Sequence, residues 1–114
     1  DLSTAPLTSS RRAREHVTSA RERQRKRLSN EGVALNAHMD VRMLQRHARL
    51  DGEGEEMLRR AVDRGLLSAR GQHRMLRVAR TIADLSGSER VRARDVGAAL
   101  ALRPDGSLAG NRAP

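Results

Sequence analysis

The strongest helical signal in the sequence is Ser68-Ala69-Arg70-Gly71-Gln72-His73-Arg74-Met75-Leu76-Arg77-Val78-Ala79-Arg80-Thr81-Ile82-Ala83-Asp84-Leu85-Ser86-Gly87. It opens on Ser68, whose hydroxyl can cap a helix N-terminus, and closes on Gly87, which suits the left-handed position after a last turn. Apolar residues at three- and four-residue spacing share one face: Met75, Val78, Ala79, Ile82 and Leu85. We predict a helix over 68–86 with that face in a hydrophobic core.

The opposite face of this predicted helix carries arginines. At 100° per residue, Arg70, Arg74 and Arg77 lie within about 60° of one another. Three other polar residues flank them: His73, Arg80 and Asp84. Arg70 lies in the first turn, where the partly positive helix end and the guanidinium can face the same anion. A phosphate is the anion that suits such a position. We predict an exposed arginine ladder with Arg70 as a candidate anion ligand; the alternative is that Arg70 is merely solvated.

The sequence pattern predicts four other helices, over 10–28, 41–49, from Asp51 to about Arg64, and over about 93–102. Asp40 and Asp51 are good N-caps, whereas Arg92 stands where Ser or Thr is expected. The first segment has only a thin apolar stripe: Ala13, Val17, Ala20 and Leu28. No useful length alternates with period two. We predict an all-α, four- to five-helix bundle over 10–103, with flexible tails at 1–9 and 104–114.

The composition excludes several classes of function. The 114 residues fit one domain and contain neither cysteine nor an aromatic residue, so thiol catalysis and cysteine-bound zinc are excluded. No stretch approaches the ~20 apolar residues of a membrane span, and the first residues do not resemble a signal peptide. We expect a cytoplasmic protein with no membrane partner. Because Asp1 replaces an initiator methionine, we also expect further residues upstream.

The chain has a formal charge of +9, and this favours an anionic partner. The excess is concentrated in residues 11–27, which hold eight basic and two acidic side chains. Such a segment is either a solvated helix face or a contact with an anion or a neighbouring subunit. The pattern does not distinguish these possibilities.

A catalytic centre is absent from the sequence pattern. A phosphate-binding loop needs a Gly-rich turn ending in Gly-Lys-Ser/Thr, but the only lysine, Lys26, follows Arg25 in a predicted helix. The acidic cluster at 53–56 is explained by the first turn of its helix. No two of the four histidines have the i, i+4 spacing of metal ligands: His16, His38, His47 and His73. We therefore expect neither ATP hydrolysis nor a metal site in this chain alone.

The segments 65–70 and 73–89 resemble the C-terminal domain of bacterial magnesium-chelatase-like AAA+ proteins of the ComM/YifB competence group. Supporting similarities occur at 20–24, 35–37 and 91–100, so the resemblance covers nearly all of 10–103. It implies an AAA+ helical lid over a nucleotide cleft, in which Ser68-Ala69-Arg70 matches the sensor 2 motif. Gly71-Gln72 departs from the expected alanine and aromatic.

By this resemblance, Arg70 would contact the γ-phosphate of ATP, and Arg74 and Arg77 are weaker candidates for phosphate or subunit contacts. The partners implied are an upstream αβ domain, which would hold the catalytic groups and magnesium, and a homo-oligomeric ring, expected to be a hexamer. The full protein would act on DNA. Two alternatives remain: a free-standing basic helical DNA-binding module, and a body that only docks a partner subunit.

Overall fold

The computed structural model describes the backbone of residues 4–103 and the side chains of residues 9–103. Its elements are α1 (Thr4–Leu28), a short 3₁₀ helix (Asn36–His38), α2 (Val41–His47), α3 (Gly52–Asp63), α4 (Ala69–Ser86) and α5 (Ala93–Ala101). The only strand-like feature within 4–103 is an isolated parallel bridge between Leu50 and Val91. The predicted all-α fold class with five helices is confirmed.

Helix α4 is the centre of the bundle. It packs against α1, α2, α5 and the 3₁₀ helix, while α3 packs on α5. Its buried apolar residues are small or flexible, Met75, Ala79 and Ala83, which lets neighbouring backbones approach closely. The other buried apolar residues of the core are Leu28, Met39, Leu44, Ala48, Val91, Val96 and Ala99. The aliphatic residues therefore fill a core without any aromatic ring.

The helix starts and the left-handed stop predicted from local sequence are confirmed. Asp40 accepts from the amide of Met43 at 2.9 Å, Asp51 from Gly54 at 2.7 Å and Ser68 from Gly71 at 3.0 Å. Gly87 ends α4 with a φ of 77°. Each cap is a hydrogen bond between residues three positions apart, and the left-handed turn depends on the backbone of Gly87 itself. The local sequence is therefore sufficient to predict these helix ends.

The start of α5 shows how a helix forms without a conventional cap. Arg92 occupies the N-cap position, and its side chain has no acceptor to offer the helix amides. The carboxylate of Asp95 accepts instead from the Arg92 amide at 2.9 Å. This is the reciprocal half of a capping box.

Helix α1 begins earlier than residue 10, where the sequence placed its start. Pro6 lies within the first turn, where a missing amide removes no intrahelical hydrogen bond, so the helix extends back to Thr4. Residues 4–9 of the predicted tail are thus helical, while the remainder of the two predicted tails, 1–3 and 104–114, lies outside the described residues. Of the predicted apolar stripe, Ala20 and Leu28 are buried, but Ala13 and Val17 are exposed.

The prediction that Arg80 and Asp84 flank an exposed arginine face is wrong. Both are buried, with exposed fractions of 1% and 0%, and they form an ion pair at 3.0 Å. The segments around His47 and 88–89 cover this side of α4, and Arg80 donates to the carbonyls of His47, Ser88 and Glu89 at 3.1, 2.5 and 2.6 Å. Conversely, Leu85, predicted in the core, is 39% exposed.

Asp84 also attaches α1 to the bundle. Its carboxylate accepts two hydrogen bonds from Arg27, at 2.9 and 2.5 Å, and one from Asn36 Nδ2 at 2.8 Å. Gln24 Oε1 accepts a hydrogen bond from the main-chain amide of Asn36 at 2.6 Å. Because most of the apolar stripe of α1 is thin or exposed, this buried polar network determines where the helix meets the body.

No helix among the described residues combines the length and apolar character required to cross a bilayer.

Candidate anion-binding groove

A groove of about 820 Å³ lies between the start of α4 and the end of α5. Four arginines line it: Arg70, Arg74, Arg77 and Arg103. The three residues predicted from the arginine face of α4 thus share one groove. Arg103 was missed, since it follows α5 and only the packing of α5 on α4 brings it there.

Arg70 and Arg74 are the available cations of the groove. Both are exposed, and within residues 9–103 neither has a hydrogen-bond or ion-pair partner. Ser68 completes the first turn of α4 by capping Gly71, so Arg70 extends from a well-formed helix end despite the glycine that follows it. Two guanidinium forks at i, i+4 can bind different oxygens of the same anionic group.

Arg77 and Arg103 have structural contacts as well. Arg77 is half-buried and donates to the carbonyl of Met39 at 3.1 Å, which ties α4 to the segment before α2. Arg103 donates to Leu100 at 2.8 Å. These hydrogen bonds fix part of each guanidinium in place, so both residues are better suited to shaping the groove than to capturing a ligand.

The remainder of the groove is apolar and contains no carboxylate among the residues that line it. Leu66 and Leu102 are 44% and 67% exposed at its rim, and Met75, Val78 and Ala99 form its base. Cations without nearby acids concentrate anions at a surface. The groove therefore suits a ligand or a domain surface that combines negative charge with apolar area.

The acidic cluster of α3 has the structural role predicted for it. Glu53 and Glu55 are exposed in the first turn, and Glu56 forms ion pairs with Arg59 and Arg60. The hydrogen bond from Arg59 holds the pKa of Glu56 below its ordinary value. Among the side chains of 9–103, no group of three carboxylates or histidines converges to hold a metal ion.

One histidine belongs to a cluster that the sequence did not indicate. His47 Nε2 lies 2.5 Å from Glu31 Oε2, and Arg46 donates to the other Glu31 oxygen at 2.7 Å. Arg46, and secondarily His47, lower the pKa of Glu31. The three groups join the segment after α1 to α2, at a separation of 15 or 16 residues that no short motif could reveal.

Comparison with known proteins relates this fold to one family. The family described as "Magnesium chelatase, subunit ChlI C-terminal" matches residues 7–103. An uncharacterized protein of Mycobacterium tuberculosis (strain ATCC 25618 / H37Rv) is 39% identical over 106 residues, 93% of this chain and 21% of that protein. A protein of Mycobacterium bovis, also uncharacterized, gives the same figures.

The competence protein ComM of Haemophilus influenzae is 34% identical over 82 residues, which are 72% of this chain and 15% of that protein. This chain therefore spans about a fifth or less of the length of these relatives. No solved structure matches it significantly. The match to nearly the whole described fold shows that this chain belongs to the family of the C-terminal domain of the magnesium chelatase subunit ChlI.

Proposed function

We propose that this chain is the helical lid of an AAA+ ATPase and that its groove receives the phosphates of ATP. The observation that supports this proposal is the pair of exposed arginines, Arg70 and Arg74, which have no partner among the side chains of residues 9–103 and lie in a groove whose lining residues include no carboxylate. The apolar rim at Leu66 and Leu102 is suited to docking against the upstream αβ domain that the family resemblance implies.

The two available arginines have different proposed roles. Arg70, in the first turn of α4, acts as the sensor 2 residue and contacts the γ-phosphate, where its positive charge opposes the negative charge that develops during phosphoryl transfer. Arg74, one turn later, is a second phosphate or subunit contact. Arg77 is weaker because it already donates to Met39. Magnesium and the phosphate-binding loop would belong to the upstream domain.

The proposal for the whole protein is broader. We infer a cytoplasmic ATPase that assembles as a homo-oligomeric ring, a hexamer, and acts on DNA. The Haemophilus influenzae relative is a competence protein, and the formal charge of +9 on this chain favours an anionic partner such as DNA. ATP sensing by α4 then provides the lid movement that reports loss of the γ-phosphate to the ring.

The test is ATP turnover by the whole protein carrying Arg70→Ala. We expect turnover to fall at least tenfold, equivalent to about 1.4 kcal/mol of activation free energy. Arg42→Ala is the matched control, because Arg42 is an exposed arginine on α2 outside the groove; it should keep wild-type turnover. Undiminished turnover in Arg70→Ala, or an equal loss in the control, would refute the sensor assignment.

A further inference from the structure

The first part of α1 projects from the bundle as a basic arm, defined here as residues 9–19. Every side chain in the arm is exposed, and Ala20 is the next residue along α1 and is buried. An isolated helix of this length is marginally stable in water, and its arginines repel one another. A surface that supplies matching negative charge would therefore stabilise the arm as well as bind it.

Four arginines form a stripe along α1: Arg11, Arg14, Arg21 and Arg25. At 100° and 1.5 Å per residue they fall within an arc of about 80° and span about 21 Å of helix. All four are exposed. Arg25 has an exposed ion pair with Glu22 at 3.1 Å, while the other three have no partner within residues 9–103. The stripe is thus a row of hydrated cations available for an external ligand.

Two of the three α1 arginines outside the stripe, Arg23 and Arg27, show why the stripe faces away from the body. Arg23 donates to the carbonyl of Asp84 at 3.1 Å, and Arg27 forms the ion pair with the Asp84 carboxylate. These two residues and the buried Gln24 lie on the side of α1 that meets α4 and the 3₁₀ helix. The basic residues of α1 are therefore divided between attachment to the body and exposure to solvent.

The arm lacks the features of a protein or membrane contact. Its apolar residues are only Ala13 and Val17, whereas the centre of a protein interface is rich in large apolar and aromatic side chains. A helix lying in a membrane surface needs a continuous apolar face. The absence of aromatics also removes the stacking contacts used to bind single strands. Charge without apolar surface favours the sugar-phosphate backbone of a duplex.

We propose that α1 binds the phosphate backbone of duplex DNA through the arginine stripe, which starts in the arm and continues to Arg25. An exposed α-helix fits the roughly 12 Å wide major groove of B-form DNA, whereas the major groove of A-form RNA is too narrow. Guanidinium groups bind phosphate oxygens in pairs, and such contacts orient a protein on DNA without reading its sequence. The inference deepens the proposed action of the protein on DNA and rests on it. It is separate from the nucleotide groove, which α4 and α5 form.

The test measures binding of the chain to a labelled duplex of about 20 base pairs by fluorescence anisotropy, between about 50 and 200 mM salt. The variant combines Arg11→Gln, Arg14→Gln and Arg21→Gln. Glutamine has nearly the helix propensity of arginine, so α1 should be retained, as far-ultraviolet circular dichroism can verify. The matched control combines Arg42→Gln, Arg64→Gln and Arg94→Gln, which removes the same charge from exposed positions elsewhere.

We expect the stripe variant to bind at least about tenfold more weakly at the lowest salt, and the slope of log affinity against log salt to fall by about 2.7. The control should change the slope by less than about 1. Equal weakening of both variants would overturn the assignment to the stripe while leaving DNA binding in place. If polyglutamate binds as tightly as the duplex, the ligand of the stripe would instead be an acidic protein. No duplex binding by the wild-type chain would overturn this inference, and an action of the whole protein on DNA would then have to come from its other domains.

Discussion

Replacing Asp84 with alanine is the change that should weaken the fold most clearly. The Asp84 side chain is fully buried, accepts hydrogen bonds from Arg27 and Asn36, and forms an ion pair with Arg80. Without the carboxylate, Arg80 is left as a buried charge, and burial already lowers the pKa of Arg80, with Asp84 opposing that shift. Removing one partner of a buried ion pair typically costs about 3–5 kcal/mol.

This cost is large for a domain of this size. Small domains have unfolding free energies of about 5–15 kcal/mol, so the Asp84→Ala protein should lose about a fifth or more of its stability, or fail to fold. The less disruptive Asp84→Asn keeps the shape and still accepts one or two hydrogen bonds, and its loss should be intermediate. α1 should also become less protected from amide hydrogen exchange, because Arg27 and Asn36 lose the same acceptor.

Urea unfolding followed by far-ultraviolet circular dichroism is the appropriate assay, since the chain has no aromatic residue for fluorescence. Glu56→Ala is the matched control, because Glu56 also pairs with two arginines but is 40% exposed. An exposed pair of this kind contributes about 0–1 kcal/mol. If Asp84→Ala and Asp84→Asn both lose no more than Glu56→Ala, the buried network does not hold α1 and α4 together.

Three further predictions concern local features. Ser68→Ala should lower the unfolding free energy by about 1 kcal/mol, because the cap on the Gly71 amide is lost. Ser86→Ala, at the other end of α4, should be nearly neutral. Equal unfolding free energies for the two variants in urea would argue against the cap. Gly87→Ala should lower the unfolding free energy by about 1–2 kcal/mol, because a φ of 77° strains any residue with a Cβ. Gly87→Asn should lower it less. An alanine variant as stable as the wild type would contradict this. Arg46 and His47 hold the pKa of Glu31 below its ordinary value, so the stabilisation by Glu31 is complete above the unfolded pKa of about 4.3 and disappears as pH falls through the lower folded pKa. Glu31→Gln should flatten the dependence of the urea midpoint on pH in that range, and an unchanged profile would exclude this cluster as its source.

The helix boundaries set by local chemistry were accessible from sequence. The caps at Asp40, Asp51 and Ser68 and the left-handed Gly87 depend on contacts within a few residues. The arginines of α4 that line the groove also followed from helical periodicity, although their ligand stays a prediction.

The environments of Arg80 and Asp84 were not accessible from sequence. A helical wheel places them on the polar side of α4, and only the distant segments around His47 and 88–89 turn that side into an interior. The contribution of Arg103 to the groove likewise depends on how α5 packs against α4. Burial of this kind is set by long-range packing, for which the sequence pattern of one helix holds no signal.

The most direct measurement of the central claim is a structure of the whole protein with a non-hydrolysable ATP analogue and magnesium. We expect the γ-phosphate to lie at the groove, with a guanidinium nitrogen of Arg70 about 2.7–2.9 Å from one of its oxygens. The same distance should lengthen or disappear with ADP. An analogue bound elsewhere, with Arg70 still directed into solvent, would contradict the assignment of this chain as the nucleotide-sensing lid.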